Sequence, residues 1–172
     1  MARSQETDKF HACKFHMKVV TSGVAGASNI GNQGGFTTLS LPEVTVEETE
    51  YKEGIYLYKR KYPGNPSFAN ISCADGVAKG NTDFYKWIRT CYLGAEYRVD
   101  LQIRHFHRTE AGAANNYIGI QPKRVINVFE AFASRVKPGA DFDSNGTDIS
   151  LEEMDITYEH YELEDTATPA GN

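Results

Sequence analysis

The sequence has few cysteines, no long apolar run and no excess of basic residues over its 172 positions. Its three cysteines, Cys13, Cys73 and Cys91, are odd in number and include no CxxC pair, which excludes a zinc ribbon, a thioredoxin motif and a disulfide scaffold. No stretch reaches the ~20 apolar residues that cross a bilayer, and the polar first residues do not resemble a signal peptide. We therefore expect a protein made and kept in a reducing cytoplasm, with no membrane anchor.

The charge balance excludes a further class of protein. The chain has 18 Lys and Arg residues against 23 Asp and Glu residues, a formal net charge of −5, whereas proteins that coat nucleic acid are usually basic. With 40% hydrophobic and 24% charged residues, the composition is that of a globular protein. We expect a single domain over residues 1–172, with an N-terminal arm at 1–13 and a loose polar tail at 164–172.

Aromatic residues and glycines are abundant, with ten Tyr, nine Phe and 15 Gly, and period-two alternation predicts mainly β structure. The clearest strand runs from Tyr97 to His105. Further strands are predicted at Lys14–Thr21, Phe36–Leu41, Glu43–Tyr51, Phe68–Cys73, Tyr117–Gln121, Val125–Val136 and Leu151–Leu163. Residues Lys52–Lys59 are predicted as a loop or hairpin tip, and Tyr62–Pro66 as a turn. The pattern indicates one antiparallel β domain.

One segment has the period of a helix instead. Phe84, Trp87, Ile88 and Cys91 follow the spacing i, i+3, i+4, i+7. Asn81 or Thr82 can cap its start, Asp83 complements the N-terminal dipole, and Gly94 stands where a C-terminal glycine stop is expected. Because only one stripe is apolar, this helix is expected to flank a sheet.

Asp141–Glu152 satisfies the D-x-D-x-N-G-x₅-E pattern of a calcium loop. Its context does not fit, because Asp148 stands where an apolar residue is expected and the flanking segments are predicted as strands. His105 and His107 could share one strand face, but no third ligand is near them in sequence. Without a G-x-S-x-G motif or a phosphate loop, we expect no enzyme, no cofactor and no metal.

Three segments, in order, resemble the tail tube proteins of contractile-tailed bacteriophages. The first ends in Glu47–Gly54, which is similar to an acidic strand closing with Glu-x-x-Glu-Tyr-x-x-Gly. The remaining segments are Lys61–Gly64 with Phe68–Ser72 and Gly80–Trp87, and Val125–Val136 with Asp148–His160, which resembles a closing hairpin. The resemblance covers most of the chain, from about Phe15 to Leu163.

This resemblance implies a fold of two packed antiparallel β-sheets with one flanking helix. It further implies hexameric rings, in which the inner strands join into a ring-wide barrel that removes exposed sheet edges. Stacked rings would form a hollow conduit for the viral genome in a virion tail, assembled in the host cytoplasm. The implied partners are the chain itself, the tail sheath, the tape measure and the baseplate, with DNA passing through the lumen without specific binding.

Two sets of residues become candidates under this resemblance. Ile55, Tyr56, Leu57 and Tyr58 form an apolar tip that could contact the next ring. The candidate acidic lumen, which would repel DNA phosphates, comprises Glu43, Glu47, Glu153, Asp155 and Glu159. Two alternatives stay open: the inner tube of a phage-derived contractile injection system or bacteriocin, and a soluble β-sandwich binding module with a calcium loop.

Overall fold

The computed structural model describes residues 14–20, 23–27, 30, 36–76, 82–106, 122–140 and 149–165. Within them the chain forms nine strands and one helix. The strands are β1 (Phe15–Val19), β2 (Thr38–Leu39), β3 (Glu43–Tyr51), β4 (Arg60–Ala69), β5 (Ile71–Gly76), β6 (Val99–His105), β7 (Arg124–Lys137), β8 (Leu151–Thr157) and β9 (His160–Asp165), and the helix is α1 (Asp83–Leu93). The prediction of a mainly β fold with one helix is confirmed.

Two predicted elements differ from the structure. The segment Tyr62–Pro66 is not a turn, because it lies inside β4. The stretch Leu151–Leu163 forms two strands, β8 and β9, and β9 extends to Asp165, into the segment expected to be a loose tail. The predicted strand Tyr117–Gln121 and the expected N-terminal arm at 1–13 lie outside the described residues.

Strand β7 is long enough to belong to two sheets. Its first half pairs with β6 and β9, and β1 pairs with β6, so the first sheet has the order β1-β6-β7-β9. Its second half pairs with β8, followed by β5 and β2, in the second sheet. All of these pairings are antiparallel. Strands β3 and β4 form a separate two-stranded hairpin.

The two sheets share one buried core. The first sheet contributes residues such as Leu101 and Val128, and the second contributes Met154 and Ile156, all to a single cluster. Each comes from a period-two stripe, so most polar residues of β6 and β8 face away from the core, whereas Glu152 is buried on the core side of β8. The two-sheet expectation is therefore confirmed.

Helix α1 packs on this core through Phe84 and Trp87. The indole of Trp87 is fully buried and donates a hydrogen bond from Nε1 to the Tyr97 carbonyl oxygen at 2.9 Å. Gly26 lies against the first turn with φ of 85°, and a Cβ there would come within 2.4 Å of the Asp83 carbonyl oxygen. Gly94 ends the helix in the left-handed conformation, as predicted.

Candidate functional site

The hairpin of β3 and β4, hereafter the exposed hairpin, lies outside the core. Every residue of β3 is exposed, and in β4 only Gly64 and Phe68 are partly covered. Phe68 attaches its base to the body, with ring centroids 5.9 Å from Tyr158 and 6.2 Å from Tyr161. Along the rest of the hairpin, every residue of β3 stays exposed to solvent in this structure.

Cross-strand ion pairs hold the outer half of the exposed hairpin. Lys61 lies 2.8 Å from Glu48 and 4.0 Å from Glu50, which also contacts Lys59. The hydrogen bond and charge of Lys59 lower the pKa of Glu50. These side chains are largely exposed, so the pairs set the hairpin's geometry more than its stability.

The tip of the exposed hairpin carries the four residues singled out in the sequence. Ile55 is 98% exposed, Leu57 81%, Tyr58 80% and Tyr56 51%. Tyr56 is partly covered because the Arg60 guanidinium lies 4.4 Å from its ring centroid. The structure therefore brings these four residues together as an uncovered apolar tip, which is unusual on a single soluble chain.

The five candidate lumen residues lie on three elements of the chain. Glu43 and Glu47 lie on the exposed hairpin. Glu153 and Asp155 lie together on the outward face of β8 in the second sheet. Glu159 lies in the turn between β8 and β9. The structure thus places them at three locations.

Arg135 contacts both carboxylates of the β8 pair. Its guanidinium donates hydrogen bonds to Asp155 Oδ2 at 3.2 Å and Glu153 Oε2 at 3.1 Å. Asp155 also accepts a hydrogen bond from the Ser72 hydroxyl at 2.7 Å. The bonds to Asp155 and then Glu153 raise the pKa of Arg135. This face is consequently a hydrogen-bonded polar surface whose negative charge is partly cancelled.

Glu159 is also paired, at the point where β7 passes between the sheets. Its carboxylate accepts a hydrogen bond from Arg98, which lies 3.5 Å from Glu130 as well. Glu130 has φ of 54°, a conformation that favours glycine, and its backbone N–H donates to Asp100 Oδ1 at 3.2 Å. The two contacts fix this corner of the fold.

Glu152, the last residue of the calcium-loop motif, is buried in β8 with 7% exposure. Burial, followed by the charges of Asp75 and Asp83, raises the pKa of Glu152. Residues 141–148 of the motif lie outside the described residues. Among the described residues, no group of three His, Cys, Asp or Glu side chains could hold a metal ion.

The sequence analysis did not identify Arg135 and Arg98 as the cationic partners of the candidate acidic residues. Arg135 and Arg98 stand at ordinary positions of predicted strands, and only the register of β7 with β8 shows that Arg135 is opposite Asp155. Arg135 lies in one predicted strand, and Glu153 and Asp155 lie in another. The sequence shows these residue types, but it does not show the register that places them opposite each other.

No helix in the described part of the chain has the length and apolarity to span a membrane.

Comparison with protein families gives one assignment. The model of a family described as T4-like virus tail tube protein gp19 matches residues 11–162. No curated protein sequence matches the chain.

Solved structures show the same fold in contractile systems. The chain is similar to a subunit of an extracellular contractile injection system, the PVC sheath–tube complex in its extended state, with a TM-score of 0.74, 20% identity and coverage of 94% of this chain and 95% of that one. It is similar to a chain of the anti-feeding prophage baseplate, with a TM-score of 0.73, 12% identity and coverage of 94% and 99%. It is also similar to an Hcp protein, with a TM-score of 0.53, 14% identity and coverage of 88% and 91%.

Proposed function

This chain belongs to the T4-like virus tail tube protein family, and on that premise we propose that it forms six-membered rings that stack into a hollow conduit. It is a structural tube subunit, and we assign it no catalytic step. The soluble binding module with a calcium loop is not favoured, because the family match spans most of the chain. The observation that carries the ring and stacking proposal is the exposed hairpin.

An isolated two-stranded hairpin is marginally stable in water, since neither face is buried. Here the hairpin has nine exposed residues in β3 and four apolar tip residues that no described residue of the same chain covers beyond the Arg60 contact. A second copy of the chain can cover all of them. Large exposed apolar patches typically mark protein–protein contacts.

We propose that the tip joins successive rings. Tyr58 belongs to a residue type that is enriched at interfaces, and covering an apolar side chain such as Leu57 could contribute about 2 kcal/mol. Six such contacts act together around a ring, so tube length is expected to depend steeply on the tip.

For the lumen, the proposal of an acidic surface is best supported by Glu153 and Asp155, because they share one face. Arg135 offsets one of these two negative charges, and Lys137 lies opposite Glu153 in register. Repulsion of DNA phosphates is therefore proposed to be weak at this face. The conduit would let a polyanion slide without specific binding.

The proposed partners follow from the assemblies to which similar structures belong. These are a sheath–tube complex, a tube terminator and a baseplate, so we propose that a sheath surrounds this tube and a baseplate ends it. A tape measure inside the lumen and assembly in the host cytoplasm before the tail is complete belong to the same proposal. A phage tail and an injection system share these parts.

The test is electron microscopy of the purified chain beside the double variant Tyr56→Ser, Leu57→Ser. Wild-type protein is expected to form rings and hollow tubes with six-fold views. The variant is expected to keep the wild-type circular dichroism spectrum and melting temperature but to stop at subunits or single rings, because both changed side chains lie outside the core.

A matched control is Tyr85→Ser, which removes an equally exposed tyrosine from α1 rather than from the tip. This control should form tubes of normal length. Wild-type protein that stays monomeric at high concentration contradicts the proposed assembly. Tubes of normal length from the double variant contradict only the role of the tip.

A further inference from the structure

The exposed hairpin continues a strand pair of the second sheet. In that sheet β2 pairs with β5, with Leu39 opposite Cys73. In the hairpin, where the same two stretches of chain continue as β3 and β4, Glu43 is opposite Ala69. Both stretches advance by the same number of residues between these pairs, and between them the Ser40 N–H donates a hydrogen bond of 2.8 Å across to the other stretch. The two stretches therefore form one ribbon from the core to the apolar tip.

The register of this ribbon shifts in the middle of the exposed hairpin. The shift lies between Val46 and Glu48 of β3. Opposite them on β4, Gly64–Asn65 occupies the space in which a regular ladder has one residue facing Glu47. Such a β-bulge bends its strand and increases the local twist, and bulges often re-aim the side chains near them. The outer part of the hairpin therefore leaves the inner part at an angle.

Gly64 lets the two strands lie close together at the bulge. A Cβ at this position would come within 2.9 Å of the Glu47 carbonyl oxygen and 3.3 Å of the Glu47 Cβ. The first distance is well below the ~3.5 Å of an ordinary nonbonded contact, and a backbone oxygen cannot turn aside as a flexible side chain can. Pro63 and Pro66 stand on either side of the bulge, and each ring fixes φ at about −65°. The bulge is consequently a rigid bend rather than a flexible hinge.

The bulge separates two parts of the hairpin that have different contacts. The inner part is attached to the body through Phe68, whose ring centroid lies 5.9 Å from that of Tyr158. The outer part has its own cross-strand ion pairs, such as that of Lys61 with Glu48 at 2.8 Å, and it ends in the exposed tip. Among the described residues, no ion pair connects the outer part to the inner part or to the body. The backbone of the bulge therefore decides how the tip is oriented relative to the body.

We propose that the bulge at Gly64–Asn65 is a positioning element, which bends the outer part of the hairpin so that the apolar tip meets the next ring. This proposal rests on the stacking contact of the proposed function and specifies what directs it. The base of the tip lies about 13 Å beyond the bulge at ~3.3 Å per strand residue, so a change of about 20° in the bend would displace it by about 4 Å. A displacement of that size separates side chains that would otherwise be in contact.

The test deletes Asn65, which removes the extra residue of the bulge. The pairs on both sides of it can stay in their present register, and Lys61 still faces Glu48. The deletion therefore straightens the hairpin but keeps its ion pairs and its tip. We expect this variant to keep the wild-type melting temperature and to form single rings, but to need at least tenfold more protein than wild type for tube growth. Calorimetry, electron microscopy and sedimentation measure these three properties.

The matched control is Asn65→Gly, which removes the exposed side chain but keeps the extra residue. This control should form tubes of wild-type length. The variant Gly64→Ala keeps the residue count but adds the Cβ that meets the Glu47 carbonyl oxygen. It should form rings with the wild-type melting temperature and need at least threefold more protein for tube growth, because the strands are pushed apart at the bend.

Three outcomes overturn the positioning role of the bulge while leaving the tubes of the wild type in place. They are tubes of normal length from the Asn65 deletion, tubes of the Asn65→Gly control as short as those of the deletion, and a deletion variant that forms no rings. The second would assign the effect to the Asn65 side chain, and the third would show that the change acts beyond the tip. A wild-type chain that forms no tubes overturns the proposed function together with this inference.

Discussion

The exposed hairpin and the two-sheet body differ in whether their apolar side chains are buried within the chain. In the body, alternate residues of β6 and β8 are buried, and the helix packs on the same core. In the hairpin, β3 has apolar residues such as Val44 and Val46 but buries none of them. Burial within the chain thus explains the amino-acid choices of the body, whereas the apolar residues of the hairpin would be covered by the contact with another copy proposed above.

The two sheets differ in the same way in their charges. In the second sheet, Arg135 lies between Glu153 and Asp155, so these charges are compensated inside one chain. In the first sheet, Lys18 and Glu162 lie on opposite edges. Compensation inside the chain stabilises the subunit, whereas Lys18 and Glu162 form no ion pair with another described residue.

The largest expected effect on stability comes from the body. Trp87→Ala removes a fully buried indole and leaves the Tyr97 carbonyl without its 2.9 Å hydrogen bond. The free energy of unfolding should fall by about 3–5 kcal/mol, as for other large-to-small core changes. Urea denaturation followed by circular dichroism measures it.

The contrasting change is Tyr58→Ala at the exposed tip, where the side chain is 80% exposed. Its unfolding free energy should stay within about 0.5 kcal/mol of wild type. A large loss of subunit stability from Tyr58→Ala would mean that the hairpin belongs to the body's folding unit. A Trp87→Ala variant as stable as wild type would contradict the packing of α1.

The period of the side chains predicts several elements of the fold from sequence, and Gly94 marks the end of the helix, although Thr82 makes no side-chain capping hydrogen bond at its start. The helix, β3, β6 and β7 are found close to their expected bounds because their side chains alternate or recur with a single period. The break between β8 and β9 cannot be predicted from the alternation of the side chains. Tyr158 is buried on the same side as Met154 and Ile156, so the period continues across the break.

The error at Tyr62–Pro66 has a different physical cause. Proline is excluded from the middle of a sheet, but both strands of a two-stranded hairpin are edges. Pro63 and Pro66 therefore fit into β4 without loss of an interior hydrogen bond. For the candidate site, sequence identifies the apolar tip, but it cannot identify Arg135 as the partner of Glu153 and Asp155, because that requires the strand register.

A smaller effect should follow from Glu152→Gln. Burial and the nearby carboxylates raise the pKa of Glu152 in the folded chain above its unfolded value. The folded state therefore binds this proton more tightly, and its stabilising contribution is lost as the pH rises from the unfolded pKa of about 4.3 through the folded pKa. The variant should melt a few degrees higher than wild type at pH 8, with the two converging near pH 4.

Differential scanning calorimetry from pH 4 to pH 8 gives both curves. The matched control is Glu153→Gln, one residue away on the opposite face, where the carboxylate is paired with Arg135. That change should lower the melting temperature slightly at neutral pH or leave it unchanged. If Glu152→Gln lowers the melting temperature at pH 8, the buried carboxylate has a stabilising cationic partner and the argument from burial fails. If calcium raises the melting temperature of the wild type but not of this variant, the result would support calcium binding by Asp141–Glu152.

The smallest expected effect concerns the ion pairs of the exposed hairpin. Lys61→Met removes the 2.8 Å contact with Glu48, but both side chains are more than half exposed, and such pairs contribute less than about 1 kcal/mol. The melting temperature of the subunit should not change, whereas the concentration needed for tube growth should rise about two- to fivefold, because the hairpin is held less firmly in the shape that docks. The difference should disappear in about 1 M salt, where screening shortens the Debye length to about 3 Å.

The control is Lys52→Met. Lys52 is an exposed lysine of the same hairpin without an ion pair among the described residues, so this variant should match wild type at every salt concentration. Sedimentation of tubes across a salt series separates the two variants, and a lower melting temperature for Lys61→Met would place the hairpin within the body's cooperative unit.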